Sequence, residues 1–162
     1  MDRFEACLGY TTALLFNISR SRILFDRTGW FARLQNRLTH PYPAGLAKAI
    51  IEKNLPVLGG IISSYEHQIR SAFARKDLVS LNHRVTAWLV SYFDVLFAAN
   101  HRFHPGEKRL LIYSATLPSQ PEGMSEDLSL ACRGATDLED NVANHLTEMR
   151  AHLQEWLSAK GY

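Results

Sequence analysis

Apolar residues recur along most of this chain at spacings of three and four, the pattern of helices that turn one face to a core. Phe4, Cys7, Leu8, Thr11, Leu14, Leu15 and Ile18 keep that spacing and predict a first amphipathic helix to about Ser19. Arg20-Ser21-Arg22 opens a connector, and Ile23-Leu24-Phe25 reads as an apolar plug ahead of a turn at Thr28-Gly29. Asp26 or Thr28 is placed to cap a short helix over 30–38, with Trp30, Phe31, Leu34 and Leu38 packed and Arg33 and Arg37 exposed. His40-Pro41-Tyr42-Pro43 ends it, and a third helix follows over about 43–53 with Leu46, Ala49 and Ile50 inward. Pro56 suits the first turn of a fourth helix running to about Arg75. Gly59-Gly60 weakens that start, which points to close backbone packing or to a later beginning.

Asp77 is the predicted cap of the fifth and longest helix, which extends to about Phe103. Its broad stripe of Leu78, Leu81, Val85, Leu89, Tyr92, Leu96 and Phe103 calls for other helices around it, so Asn82 and Trp88 are expected to be largely buried. Asn82 and Asn100 fall on or beside the stripe, and a buried amide needs partners. For Asn82 a structural bond is expected; for Asn100 a structural bond and a ligand contact are both open. A sixth helix is predicted over 105–115 and a loop over 118–123. Ser125 is placed to cap a short seventh helix, with Glu126 and Asp127 in its first turn. Thr136 and Glu139 form a capping box for the last, which buries Leu138, Val142, Leu146, Met149, Leu153 and Trp156. No strand pattern, repeat or low-complexity tract interrupts this reading. The 162 residues are therefore expected to fold as an all-α, single-domain bundle of about eight helices.

Charge divides the chain where composition does not. Residues 1–121 carry 15 Lys and Arg against 8 Asp and Glu, a net of +7, whereas 122–162 carry 3 against 8, a net of −5. A basic body with acidic C-terminal helices suits a polyanionic ligand or acidic partner, and equally suits pairing between the two segments. Cys7 and Cys132 match no metal spacing and are read as reduced, buried small hydrophobes of a cytoplasmic protein. The apolar run at 6–16 lacks the basic start and cleavage site of a signal peptide, and no run approaches the ~20 apolar residues of a membrane span.

The densest candidate chemistry lies at Asn100-His101-Arg102-Phe103-His104-Pro105-Gly106-Glu107-Lys108-Arg109, where a long helix meets a Pro-Gly corner and two cations fall in the first turn of the next helix. Cations are disfavoured at that end of a helix unless an anion is near, and free amides beside them make a phosphate pocket; the plainer alternative is two solvated side chains. A second cluster, Arg70, Arg75, Lys76 and Asp77, has His83 and Arg84 one to two turns on. Arg75 and Asp77 are placed to flank a hydroxylated or phosphorylated molecule, although a helix cap accounts for most of that pattern. His101, His104, His145 and His152 lack a carboxylate in an obvious metal-binding position. Arg33 and His40 are spaced as in helical RNA-cleaving toxins, but on an early helix.

Together, Ile23-Leu24-Phe25-Asp26-Arg27-Thr28-Gly29-Trp30, Arg75-Lys76-Asp77 and the stretch from Leu96 to Arg109 resemble an uncharacterised helical domain found C-terminal to minimal nucleotidyltransferase domains in bacterial proteins, a group similar to the aminoglycoside nucleotidyltransferases. The resemblance covers most of residues 1–120. It implies a ligand-binding domain that closes over a nucleotide, ATP or another triphosphate with Mg²⁺, held by a partner domain in trans or in a longer parent chain. By that resemblance Lys108 is the candidate phosphate contact, with Arg75, Arg109 and Asn100 as further nucleotide contacts, and Asp77 or Glu107 orients an acceptor hydroxyl or acts as its base. The Gly-Ser and paired aspartates that hold the metal in those relatives are missing from this sequence, so the chain alone is not expected to catalyse. An RNA-cleaving protein and a structural dimerisation bundle are the alternatives. A homodimer is allowed; membranes and nucleic acid are not expected partners.

Overall fold

The computed structural model describes residues 4–38, 41–137 and 141–162, with the backbone alone for 134–137. Among these residues there are eight helices and no strand: α1 (Ala13–Arg20), α2 (Trp30–Arg37), α3 (Ala44–Leu58), α4 (Tyr65–Ala74), α5 (Leu78–Ala99), α6 (Leu110–Ser114), α7 (Met124–Asp137) and α8 (Val142–Ala159). The all-α reading holds. His40, Leu138 and Glu139 lie outside the described residues, as does the side chain of Thr136.

α5 is the axis, about 33 Å long at 1.5 Å per residue. It packs on α3, α4 and α7, while α8 closes over α4 and α7. Every residue from 91 to 100 is buried, and Trp88 is fully so, as its broad apolar arc demands. Asn82 is only half-buried and donates its amide to Leu78 O of its own helix, so the expectation of a deeply buried Asn82 is corrected. Asp77 caps α5 as predicted, accepting the Ser80 N–H at 3.0 Å. The helix stops at Ala99 and not near Phe103. His101 takes a left-handed φ of 54° and the Arg102 N–H returns to Phe97 O, a helix stop that glycine usually supplies.

The first helix begins nine residues later than its apolar pattern suggests. Gly9 and Tyr10 both have positive φ, which breaks a helix, and a side chain on Gly9 would overlap Val90. Residues 7–12 are instead tied to the body by buried polar groups. Asn54 of α3 accepts the Gly9 N–H at 2.8 Å and donates to Cys7 O at 2.9 Å, while the Thr11 N–H reaches Asp94 of α5. Cys7 and Cys132 are exposed thiols, not buried.

Three further boundaries move. α3 runs through Pro56 to Leu58, so Pro56 starts no helix; the fourth helix starts at Tyr65, capped by Ser64. Gly59 marks the gap because a side chain there would run into Glu66 and Arg150. α7 begins at Met124, which places Ser125 inside the helix. The supposed plug is also open to solvent: Leu24 is 85% and Phe25 84% exposed, and Trp30 of α2 is 61%. The N-cap of α2 is Gly29, neither Asp26 nor Thr28, although the Asp26 carboxylate accepts the Ala32 N–H of the first turn at 2.9 Å.

Candidate functional site

The corner at 104–109 is built on a buried histidine. His104 is fully enclosed, with Tyr10 and Phe97 rings 5.2 and 5.1 Å from its own. Its backbone N–H donates to Thr12 Oγ1 at 2.7 Å, and its Nδ1 accepts the Gly106 N–H at 2.9 Å. Burial pushes the imidazole down to about 4, so it is neutral at physiological pH. Gly106 has φ 90° and Arg109 φ 58°, and these two reversals delay the sixth helix to Leu110. Lys108 and Arg109 therefore precede α6 and are not in its first turn, and a helix of five residues lends them little dipole.

Glu107, Lys108 and Arg109 are all exposed, and neither cation is ion-paired among the described residues. Glu107 and Arg109 share the rim of a groove of about 680 Å³ between α5, α6 and α7, with Arg133 and with apolar walls that include Val90, Phe93 and Ile112. A long side chain held at positive φ is strained by roughly 1 kcal/mol or more, and such outliers gather at functional positions.

The remaining sequence candidates lie elsewhere. Arg75 and Asp77 are at the start of α5 and Asn100 is at its end, about 33 Å away. The groove wall contributed by α5 runs from Thr86 to Phe93, in the middle of the same helix. Asp77 is held below the usual carboxylate range first by the Ser80 hydroxyl, then by the Ser80 N–H, with Arg75 and His83 adding less. That pattern belongs to a cap. Arg70 donates to Asn144 and Thr147, fastening α4 to α8. Asn100 is buried, and its amide bonds Leu96 O, Ser119 O and the Ser119 N–H, so it secures the loop before α7.

Sequence reasoning missed a second concavity. Arg20 and Arg102 line a cleft of about 370 Å³ together with Phe16, Phe97, Phe103, Tyr113 and two hydroxyl residues, Ser19 and Thr116. The Arg20 guanidinium lies 5.4 Å from the Phe16 ring centre, and Phe16 meets Tyr113 edge-on at 5.3 Å. The Phe16/Arg20 spacing of four was the available signal; Arg102 joins them only through the turn at His101.

Charge pairing between body and tail takes an unexpected form. Glu66 of α4, nearly buried, receives Arg150 Nε of α8 at 2.8 Å, so the acidic partner comes from the basic body. A carboxylate does stand among the C-terminal histidines, contrary to expectation: Asp127 lies 3.8 Å from His145 Nε2 and 3.3 Å from His152 Nδ1. Among the described residues no three His, Cys, Asp or Glu side chains converge as metal ligands. No helix of the described residues is long and apolar enough to cross a membrane.

One family model, described as Domain of unknown function (DUF4037), matches residues 8–110, which takes in α1 to α5 and the whole corner. No curated protein and no solved structure matches the chain.

Proposed function

This chain belongs to the DUF4037 family, and on that premise we propose that it is a ligand-binding helical domain of nucleotidyltransferase type, lending phosphate and acceptor contacts to a transfer site whose metal-binding part lies outside it. The observation that carries the reading is the strained, unpaired Arg109 beside Lys108 at the rim of the groove between α5, α6 and α7. Unpaired cations held by a rigid corner suit a polyphosphate, because nucleotidyl transfer rests mostly on positioning and charge neutralisation. Glu107, on the same rim, is the nearer of the two acceptor-orienting candidates. Asp77 and Asn100 have structural partners, and Arg75, at the turn between α4 and α5, does not line the groove, so all three drop behind Lys108 and Arg109. A triphosphate would arrive with Mg²⁺ held by the partner domain; this chain supplies cations and a walled groove.

Two assays test the reading. The purified chain shows no nucleotidyl transfer with any triphosphate and Mg²⁺, for want of a metal anchor. Addition of a partner carrying Gly-Ser and paired aspartates restores transfer, and Lys108→Ala lowers it about tenfold, as expected for one lost charge-assisted contact. Metal-dependent turnover by the chain alone would overturn the proposal.

The exposed Leu24, Phe25 and Trp30 favour a second reading, the structural dimerisation bundle. Sedimentation distinguishes it: a dimer split by Phe25→Asp, with no ligand at the corner, would put that reading first.

A further inference from the structure

We infer that the Arg20–Arg102 cleft is a second binding site, for a small dianionic phosphate monoester carried on a planar ring. α6 separates it from the groove at the corner: Leu110, Leu111 and Ile112 line the groove, whereas Tyr113 lines the cleft, with Thr116 and Leu117 just beyond the helix. The two sites therefore stand or fall separately.

Charge is the first argument. Two guanidinium groups line one cleft, no carboxylate is among its lining residues, and neither arginine makes an ion pair among the described residues. The carboxyl ends of α1 and α5 offset part of that charge, by about 0.3–1 kcal/mol each at an exposed helix end. This leaves most of two positive charges to be met by a ligand. A dianion matches them and a carboxylate supplies only half. Each guanidinium presents a planar fork of donors suited to phosphate oxygens.

The wall is the second argument. Phe16, Phe97, Phe103 and Tyr113 give the cleft aromatic faces and edges, which an inorganic anion would leave unused. Phe16 serves both functions, since its ring carries the Arg20 guanidinium. The hydroxyls of Ser19 and Thr116 already donate to Phe16 O and Tyr113 O, both at 2.7 Å, so donation to the ligand falls to the arginines. At about 370 Å³ the cleft is in the range of small-molecule sites and has room for one ring and one phosphate.

The test is titration calorimetry of the full chain with phenyl phosphate, benzoate, phenol and inorganic phosphate. Phenyl phosphate is expected to bind at least tenfold more tightly than each of the other three, with affinity falling as salt is raised. Arg102→Ala and Arg20→Ala each weaken it tenfold or more, whereas Arg27→Ala, on an exposed position outside the cleft, leaves it unchanged. Circular dichroism of each variant establishes that the helices are intact. Should Arg102→Ala unfold the chain, Arg102→Lys keeps the charge and loses the fork, and a threefold or greater loss supports the assignment. Equal binding of benzoate and phenyl phosphate, or binding indifferent to both arginines, overturns it.

Discussion

Arg150→Ala is expected to lower the unfolding free energy by about 3 kcal/mol or more. The reason is what it leaves behind. The Glu66 side chain is 9% exposed and Arg150 19%, so truncation strands a carboxylate with little access to water. Arg150 also holds Gln154, and Gly59 is kept bare so that the pair can form. Lys48 and Glu52 give the contrast. They are 3.7 Å apart but 72% and 65% exposed, and Lys48→Ala should cost under about 0.5 kcal/mol. Urea unfolding measures both, with the midpoint shifting at constant slope. Replacing both partners, as Glu66→Leu with Arg150→Met, is expected to cost less than Arg150→Ala alone, because no charge is then stranded. A loss for Arg150→Ala as small as that for Lys48→Ala would contradict the packing of α8 on α4.

The second large effect is a pH dependence that the intact protein conceals. Asp94 is buried, accepts only weakly from Thr11 and Asn54, and has its second oxygen without a partner among the described residues. Burial pushes its carboxyl up from 3.8 to about 6. Between about pH 4 and 6 the unfolded chain has released that proton and the folded chain retains it, so stability falls as pH rises and the loss is complete above about 6. His104 works in the opposite sense. Its imidazole drops from 6.5 to about 4, so the unfolded chain takes up a proton that the folded chain refuses, and stability falls as pH is lowered through that range. Each shift of two units or so is worth about 3 kcal/mol, and between pH 4 and 6 the two slopes nearly cancel. Asp94→Asn removes one of them. The variant should be about 2–3 kcal/mol more stable than the parent at pH 7 and lose that advantage toward pH 4. A variant destabilised at pH 7 would contradict the placement of Asp94 as a buried carboxylate with one unpartnered oxygen.

Helices whose burial is broad were legible in sequence, and those ended by unusual backbone were not. The arc of α5 announced a surrounded helix, and Asp77 announced its start. Its end was hidden because His101 occupies a left-handed position that composition assigns to glycine; Lys76 does the same at the end of α4. The α6 boundary failed for a related reason, since Arg109 carries no local mark of positive φ. Periodicity misled at 4–12 because the apolar spacing is genuine. The segment is nevertheless held by Asn54 and Asp94, whose partners lie tens of residues away. The same distance hid the second cleft: Arg20 and Arg102, 82 positions apart, line one cavity only in the folded chain. Of the six residues picked as site candidates, Glu107 and Arg109 share a groove and Lys108 sits beside them, Asp77 and Asn100 serve a cap and a loop, and Arg75 stands apart at the turn between α4 and α5.

The proposed function requires the Lys108–Arg109 corner to meet a nucleotide triphosphate. Equilibrium titration of ATP into the chain bound to a partner carrying paired aspartates, wild type against Lys108→Ala, measures it most directly. The expected result is a loss of affinity of about tenfold, corresponding to roughly 1.4 kcal/mol, that shrinks as salt screens the exposed charge. Unchanged affinity at low salt would contradict the claim and leave Lys108 as ordinary surface charge.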